Sequence, residues 1–202
     1  MKSNIHLVVL VVSLICFVSG CNYDKTKLSL NAAVTELKNM EVRVSEVPLD
    51  SIYSVRERLL EAKKDLVWLG SDSNVVFVKS DAVVVEELSK ATRYLKDAPN
   101  RFSGIFQEIE RCKTQVTGLI DVIESDAKFD ALGDSIDGLY IKSNAEIELK
   151  AVLKLEDIIS ETLRLARLGL ETDSSSWEAI DSLLEIKRGQ WARGVAKIEE
   201  AI

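Results

Sequence analysis

The stretch Arg101-Phe-Ser-Gly-Ile-Phe-Gln-Glu-Ile-Glu-Arg-Cys-Lys-Thr-Gln-Val-Thr-Gly-Leu-Ile-Asp-Val-Ile-Glu124 decides the fold. Phe102, Ile105, Phe106, Ile109, Cys112, Val116, Leu119, Ile120 and Ile123 recur every three or four residues, the period of a helix with one apolar face. A run this long exceeds any ordinary strand. The spacing predicts a helix over 101–124.

The same period extends outward on both sides. Upstream, Ile52, Val55, Leu59, Ala62, Leu66 and Leu69 mark a helix opened by Asp50 as N-cap and closed by Gly70. Pro48 separates it from a first helix over 26–44, with Leu28, Ala32, Leu37 and Met40 on its stripe. After a turn at 71–74, the β-branched runs Val75-Val-Phe-Val78 and Val83-Val-Val85 bring a strand into competition. A helix is favoured there, because Val84, Leu88, Ala91 and Leu95 keep the helical step. Downstream, Ser143-Asn-Ala-Glu146 and Ser175-Ser-Trp-Glu178 read as capping boxes for two further helices, with Gly169 ending the first. Ile147, Val152, Leu155, Ile158, Ile159, Leu163 and Ala166 line one, and Trp177, Ile180, Leu184, Trp191, Val195 and Ile198 the other. Two prolines and nine glycines in 202 residues leave such helices little interrupted. The predicted class is all-α, an antiparallel bundle of five to six helices.

The amino terminus is of another kind. Lys2 precedes an apolar run from Ile5 to Val18, and Ser19 and Gly20 lead to Cys21. That is the layout of a secretory signal peptide, and Val18-Ser-Gly-Cys21 resembles a bacterial lipobox. Containing His6 and Ser13, the run falls short of the roughly 18 residues a spanning helix needs. The expected organisation is a lipoprotein signal over 1–20, a tether over 21–25 lipidated at Cys21, and a helical domain over 26–202. The motif implies more than one acyl chain, which is what firm anchoring requires.

Composition narrows the chemistry. Lys2 leaves with the signal, so 25 basic residues face 33 acidic ones and the mature chain carries a net charge of −8. Such a balance argues against nucleic acid as a partner. His6, the only histidine, lies in the signal, which removes histidine-based triads and zinc sites. Cys16 leaves as well and Cys21 takes lipid, so Cys112 stands alone, in step with Ile109 and Val116, and is read as a buried core thiol, with a reactive thiol or half of an intermolecular disulfide as the alternatives. Asp126, Asp130, Asp134 and Asp137 depart from the spacing of a calcium loop. Trp68, Trp177 and Trp191 fall on apolar stripes and are expected to pack in the core. No catalytic residue, metal, cofactor or small-molecule substrate is expected, and the chain is read as a non-enzyme.

The segment 126–143 is the longest irregular stretch, and it carries Phe129, Leu132, Ile136, Leu139 and Tyr140. Two readings stay open. These side chains either tuck beneath the helices as part of a connector, or stand in solvent as a ligand-binding loop.

The lipobox, the short tether and the acidic helical body resemble the surface lipoproteins of Borrelia spirochaetes. Cys21-Asn-Tyr-Asp-Lys-Thr-Lys-Leu-Ser-Leu-Asn-Ala-Ala-Val-Thr-Glu-Leu-Lys-Asn-Met40 is similar to the mature start of decorin-binding proteins. Glu86-Glu-Leu-Ser-Lys-Ala-Thr-Arg-Tyr-Leu-Lys-Asp97, followed by Arg101-Phe-Ser-Gly-Ile-Phe106, is similar to their glutamate-rich helix and the helix after it. The chain ends Lys197-Ile-Glu-Glu-Ala-Ile202, without their basic tail. In size and acidity it also resembles the relapsing-fever lipoproteins that bind complement factor H, some of which bind plasminogen too. That resemblance implies an outer-membrane surface location and a host plasma protein as partner, factor H first, in complement evasion and virulence. An adhesin for decorin or glycosaminoglycan, and an inward-facing structural lipoprotein, are the alternatives.

Overall fold

A computed structural model describes residues 3–130 and 132–200, with side chains described over 23–130 and 132–197 and at 200. The side chains of the expected signal, with Cys16 and Cys21, lie outside the described residues. Five helices follow in order: α1 (Ser3–Ser45), α2 (Leu49–Leu69), α3 (Asp81–Leu95), α4 (Ala98–Ser125) and α5 (Gly138–Glu199). The described residues form no strand; their one β-type pairing is an isolated bridge between Phe129 and Ser135. No helix among them is long and apolar enough to cross a membrane.

Contacts gather into two compact units. One comprises the chain to Glu46 with Gly104–Ile159, the other Val47–Ser103 with the chain from Ser160 onward. In the first, Lys27 pairs with Glu124 at 2.7 Å and Glu41 with Lys113 at 2.6 Å, so α1 and α4 run antiparallel. Arg43 holds Glu156 with two bonds of 2.8 and 2.9 Å, and Arg111 reaches Glu148 at 3.4 Å. Leu30, Ala33, Leu37, Met40 and Val44 are buried on α1. This corrects the expected stripe, because Leu28 and Ala32 face solvent. The stripe of α4 is buried from Phe102 through Ile120, with Phe106 and Ile123 half-exposed at its flanks.

In the second unit, α2 and α3 pack with α5. Arg58 lies on Asp173 at 2.6 Å, and the Trp68 and Trp191 rings sit 5.0 Å apart, so α2 and this part of α5 run the same way. Asp81 meets Lys187 near the start of α3, and Leu95 meets Gly169 near its end, so α3 runs against α5. The tryptophans do not pack as core residues: Trp68 is half exposed, and Trp177 and Trp191 are partly so.

Several expected boundaries move. The two helices predicted on either side of 169–175 are one, and α5 carries 62 residues. A Cβ at Gly169 would collide with Leu95, so this glycine permits close packing inside a helix rather than ending it. The second capping box is unused. Ser175 and Ser176 turn their hydroxyls back to the Thr172 carbonyl, at 3.0 and 2.6 Å, as serines inside a helix do. The first box is unused as well, because α5 starts earlier, where Asp137 Oδ1 accepts the Leu139 and Tyr140 amides at 2.9 and 2.8 Å. At α2, Pro48 occupies the N-cap without a side-chain bond, in place of Asp50. Gly70 does close α2, in right-handed geometry, its amide donating to Leu66 O at 2.9 Å. Pro99 lies in the first turn of α4, where its missing N–H costs nothing.

Residues 75–78 are neither helix nor strand. Their backbone is bound by side chains of α5: the Val76 amide donates to Gln190 Oε1 at 3.0 Å, and the Val76 carbonyl accepts from Lys187 Nζ at 2.6 Å. These bonds take the groups a helix would have used.

Candidate recognition loop

Asp126 ends α4 with φ of 50°, and the Ala127 amide reaches back to the Val122 carbonyl at 3.4 Å, the closing pattern of a left-handed cap. The chain then doubles back. The Asp130 amide donates to Asp134 O at 2.9 Å and the Ile136 amide to Lys128 O at 2.9 Å. Asp130 Oδ1 accepts both the Leu132 and Asp134 amides, at 2.9 and 2.8 Å. Gly133 takes φ of 90° within this turn, a conformation that side-chain-bearing residues rarely adopt. The loop is therefore an ordered turn braced by two aspartates, Asp130 within it and Asp137 at the start of α5.

The five apolar positions expected here divide. Leu132 is 89% exposed, Leu139 74% and Phe129 67%, so these three stand in solvent. Ile136 is buried at 9%, beside Ile141, Val122 and Tyr23. Tyr140 is half-buried, its hydroxyl 3.4 Å from Asp130 Oδ2; burial, with Asp130 close by, pushes its phenol above the usual range. The segment is thus anchored by Ile136, with Tyr140 half-buried, and leaves Phe129, Leu132 and Leu139 exposed.

Elsewhere, Cys112 is fully buried and burial raises its thiol, which suits a packing role. Among the described residues, no group of three His, Cys, Asp or Glu side chains is placed to hold a metal ion.

Two features of the second unit escape a reading based on stripes. Lys187 is 2% exposed, its ammonium 2.6 Å from Asp81 and 4.8 Å from the Phe77 ring centroid. The available signal is that Lys187 follows buried Leu183 and Leu184 at helical spacing, a charge on an apolar face. The second feature is an open groove of about 450 Å³ lined by Leu66, Val67, Phe77, Val85 and Leu88. No spacing on one helix reveals it, because α2, the 71–80 segment and α3 build it together. Compared with known proteins, the chain matches no family model, no curated protein and no solved structure.

Proposed function

We propose that this chain is a spirochaete surface lipoprotein, anchored through Cys21 in the outer membrane, whose helical domain presents a binding surface to a host plasma protein. Complement factor H is the first choice and plasminogen a further ligand. The reading rests on the resemblance of the lipobox and the acidic helical body to that group. The observation that carries it at the site is the exposure of Phe129, Leu132 and Leu139 on a braced loop. Apolar side chains held out into water are a standing cost that binding removes. A factor H molecule recruited in this way keeps its own regulatory activity, so the chain itself needs no catalytic group.

The test has two parts. Protease treatment of intact cells making the full-length chain removes it if it faces outward and leaves it whole if it faces the periplasm. Full-length protein in detergent then retains purified factor H from buffer at physiological salt. Failure to retain it, under conditions where an established binder does, overturns the choice of ligand.

A further inference from the structure

We infer that the 126–137 loop is read by a protein surface that offers an apolar socket rimmed with lysine and arginine. This deepens the proposed function and rests on the loop being its recognition surface. Charge complementarity carries the argument. Between positions 121 and 137 the chain holds Asp121, Glu124, Asp126, Asp130, Asp134 and Asp137 against Lys128, and Lys27 of α1 pairs with Glu124 at 2.7 Å, which leaves an excess of four negative charges in a chain whose net charge is −7. Lys128 is itself taken up by Asp126 at 2.7 Å. Asp126, Asp130, Asp134 and Asp137 lie in the same segment that presents Phe129 and Leu132, and Leu139 follows it in the first turn of α5.

Each part restricts the partner. Leu132 at 89% exposure gains nothing from a purely ionic ligand and needs an apolar socket. The carboxylates repel polyanions and anionic lipid headgroups, and favour cations at the socket's rim. Charges outside the buried contact act through encounter, so they raise the association rate, while the apolar contacts govern dissociation.

The experiment uses the full-length protein in detergent, fixed to a sensor, with purified factor H and whole serum as probes and a heparin surface run in parallel. The variants are Leu132→Ser and the double change Asp126→Asn with Asp134→Asn. All these positions are exposed, and unchanged melting curves check the fold. The expected result is a loss of affinity of about tenfold or more for Leu132→Ser, mainly through faster dissociation. The double variant associates roughly threefold more slowly, and wild-type association slows about tenfold from low to high salt. A different plasma protein retained with this same dependence supports the inference while replacing factor H. Equal binding by all three proteins overturns the inference and leaves the proposed function standing. Heparin retention that Leu132→Ser abolishes also overturns it. Wild-type protein that retains nothing from serum overturns both.

Discussion

Lys187 Nζ lies 2.6 Å from Asp81 Oδ2, with both side chains largely withdrawn from solvent at 3% and 14% exposure. The ammonium also donates to the Val76 carbonyl and faces the Phe77 ring. One lysine on α5 thus ties down both the irregular 71–80 segment and the first turn of α3. Removing one partner of such a pair strands a buried charge, which costs about 3 kcal/mol or more. Lys187→Met is expected to lower the stability of the chain by that order in urea titrations, and Lys187→Met with Asp81→Asn by clearly less. A loss in the double variant equal to the sum of the losses in Lys187→Met and Asp81→Asn would show that the charges are not coupled.

The same pair gives a pH dependence of known sign. The Lys187 ammonium and the Val78 amide hold the Asp81 carboxyl below the usual carboxylate range. A lowered native pKa contributes stability that is present above the unfolded value, near 4, and is lost as pH falls through the native value. Urea midpoints measured from pH 7 down to pH 3 should therefore fall at the acid end. Asp81→Asn should start lower and show a shallower decline.

Glycines at different places on the helices should respond in opposite directions to one substitution. At Gly169 a Cβ would press into Leu95, whereas at Gly104 and Gly118 it would meet open space. Gly169→Ala is expected to cost about 2 kcal/mol through overpacking. Gly104→Ala and Gly118→Ala should each stabilise by about 0.5–1 kcal/mol, because alanine favours the helix. Thermal melts of the three variants separate the two effects.

Cys112 should be unreactive toward thiol reagents in the folded protein and react on denaturation. It is fully buried, burial raises its thiol, and Arg111 and Glu108 lie over it. Mass-spectrometric labelling of the peptide that contains it, with and without urea, checks this. Rapid labelling of native protein would contradict the packing.

Within the loop, Ile136→Ala should destabilise by about 2 kcal/mol, as the loss of a buried branched side chain does. Leu132→Ala should stay within about 0.5 kcal/mol of wild type, as surface substitutions do. Calorimetry on the two variants distinguishes the anchor from the presented residue.

The stripe over 101–124 shows how far sequence reaches. A period of three to four residues follows from helix geometry alone, so the helical character of α4 and its buried residues from Phe102 to Ile120 were legible. Leu28 misled, because one helix offers more than one apolar row and only its neighbours choose among them. The loop was legible as a segment rich in turn residues with five apolar positions. Its division between anchored Ile136 and exposed Leu132 was not, because it depends on the bonds Asp130 and Asp137 make to backbone amides.

The chain by itself determined its helical class, its acidic balance and a terminal segment of signal-peptide layout, since these follow from local period and composition. Tertiary structure decided what the punctuation means. Gly169 and the serines after it carry the marks of a helix end, yet α5 passes through them, because Leu95 needs the space and the hydroxyls find the Thr172 carbonyl. Val75 to Val78 carry an extended bias, yet they join no sheet, because Lys187 and Gln190 take their polar groups first. A cap or a strand is an offer made by neighbouring residues, and partners distant in sequence decide whether it is taken up.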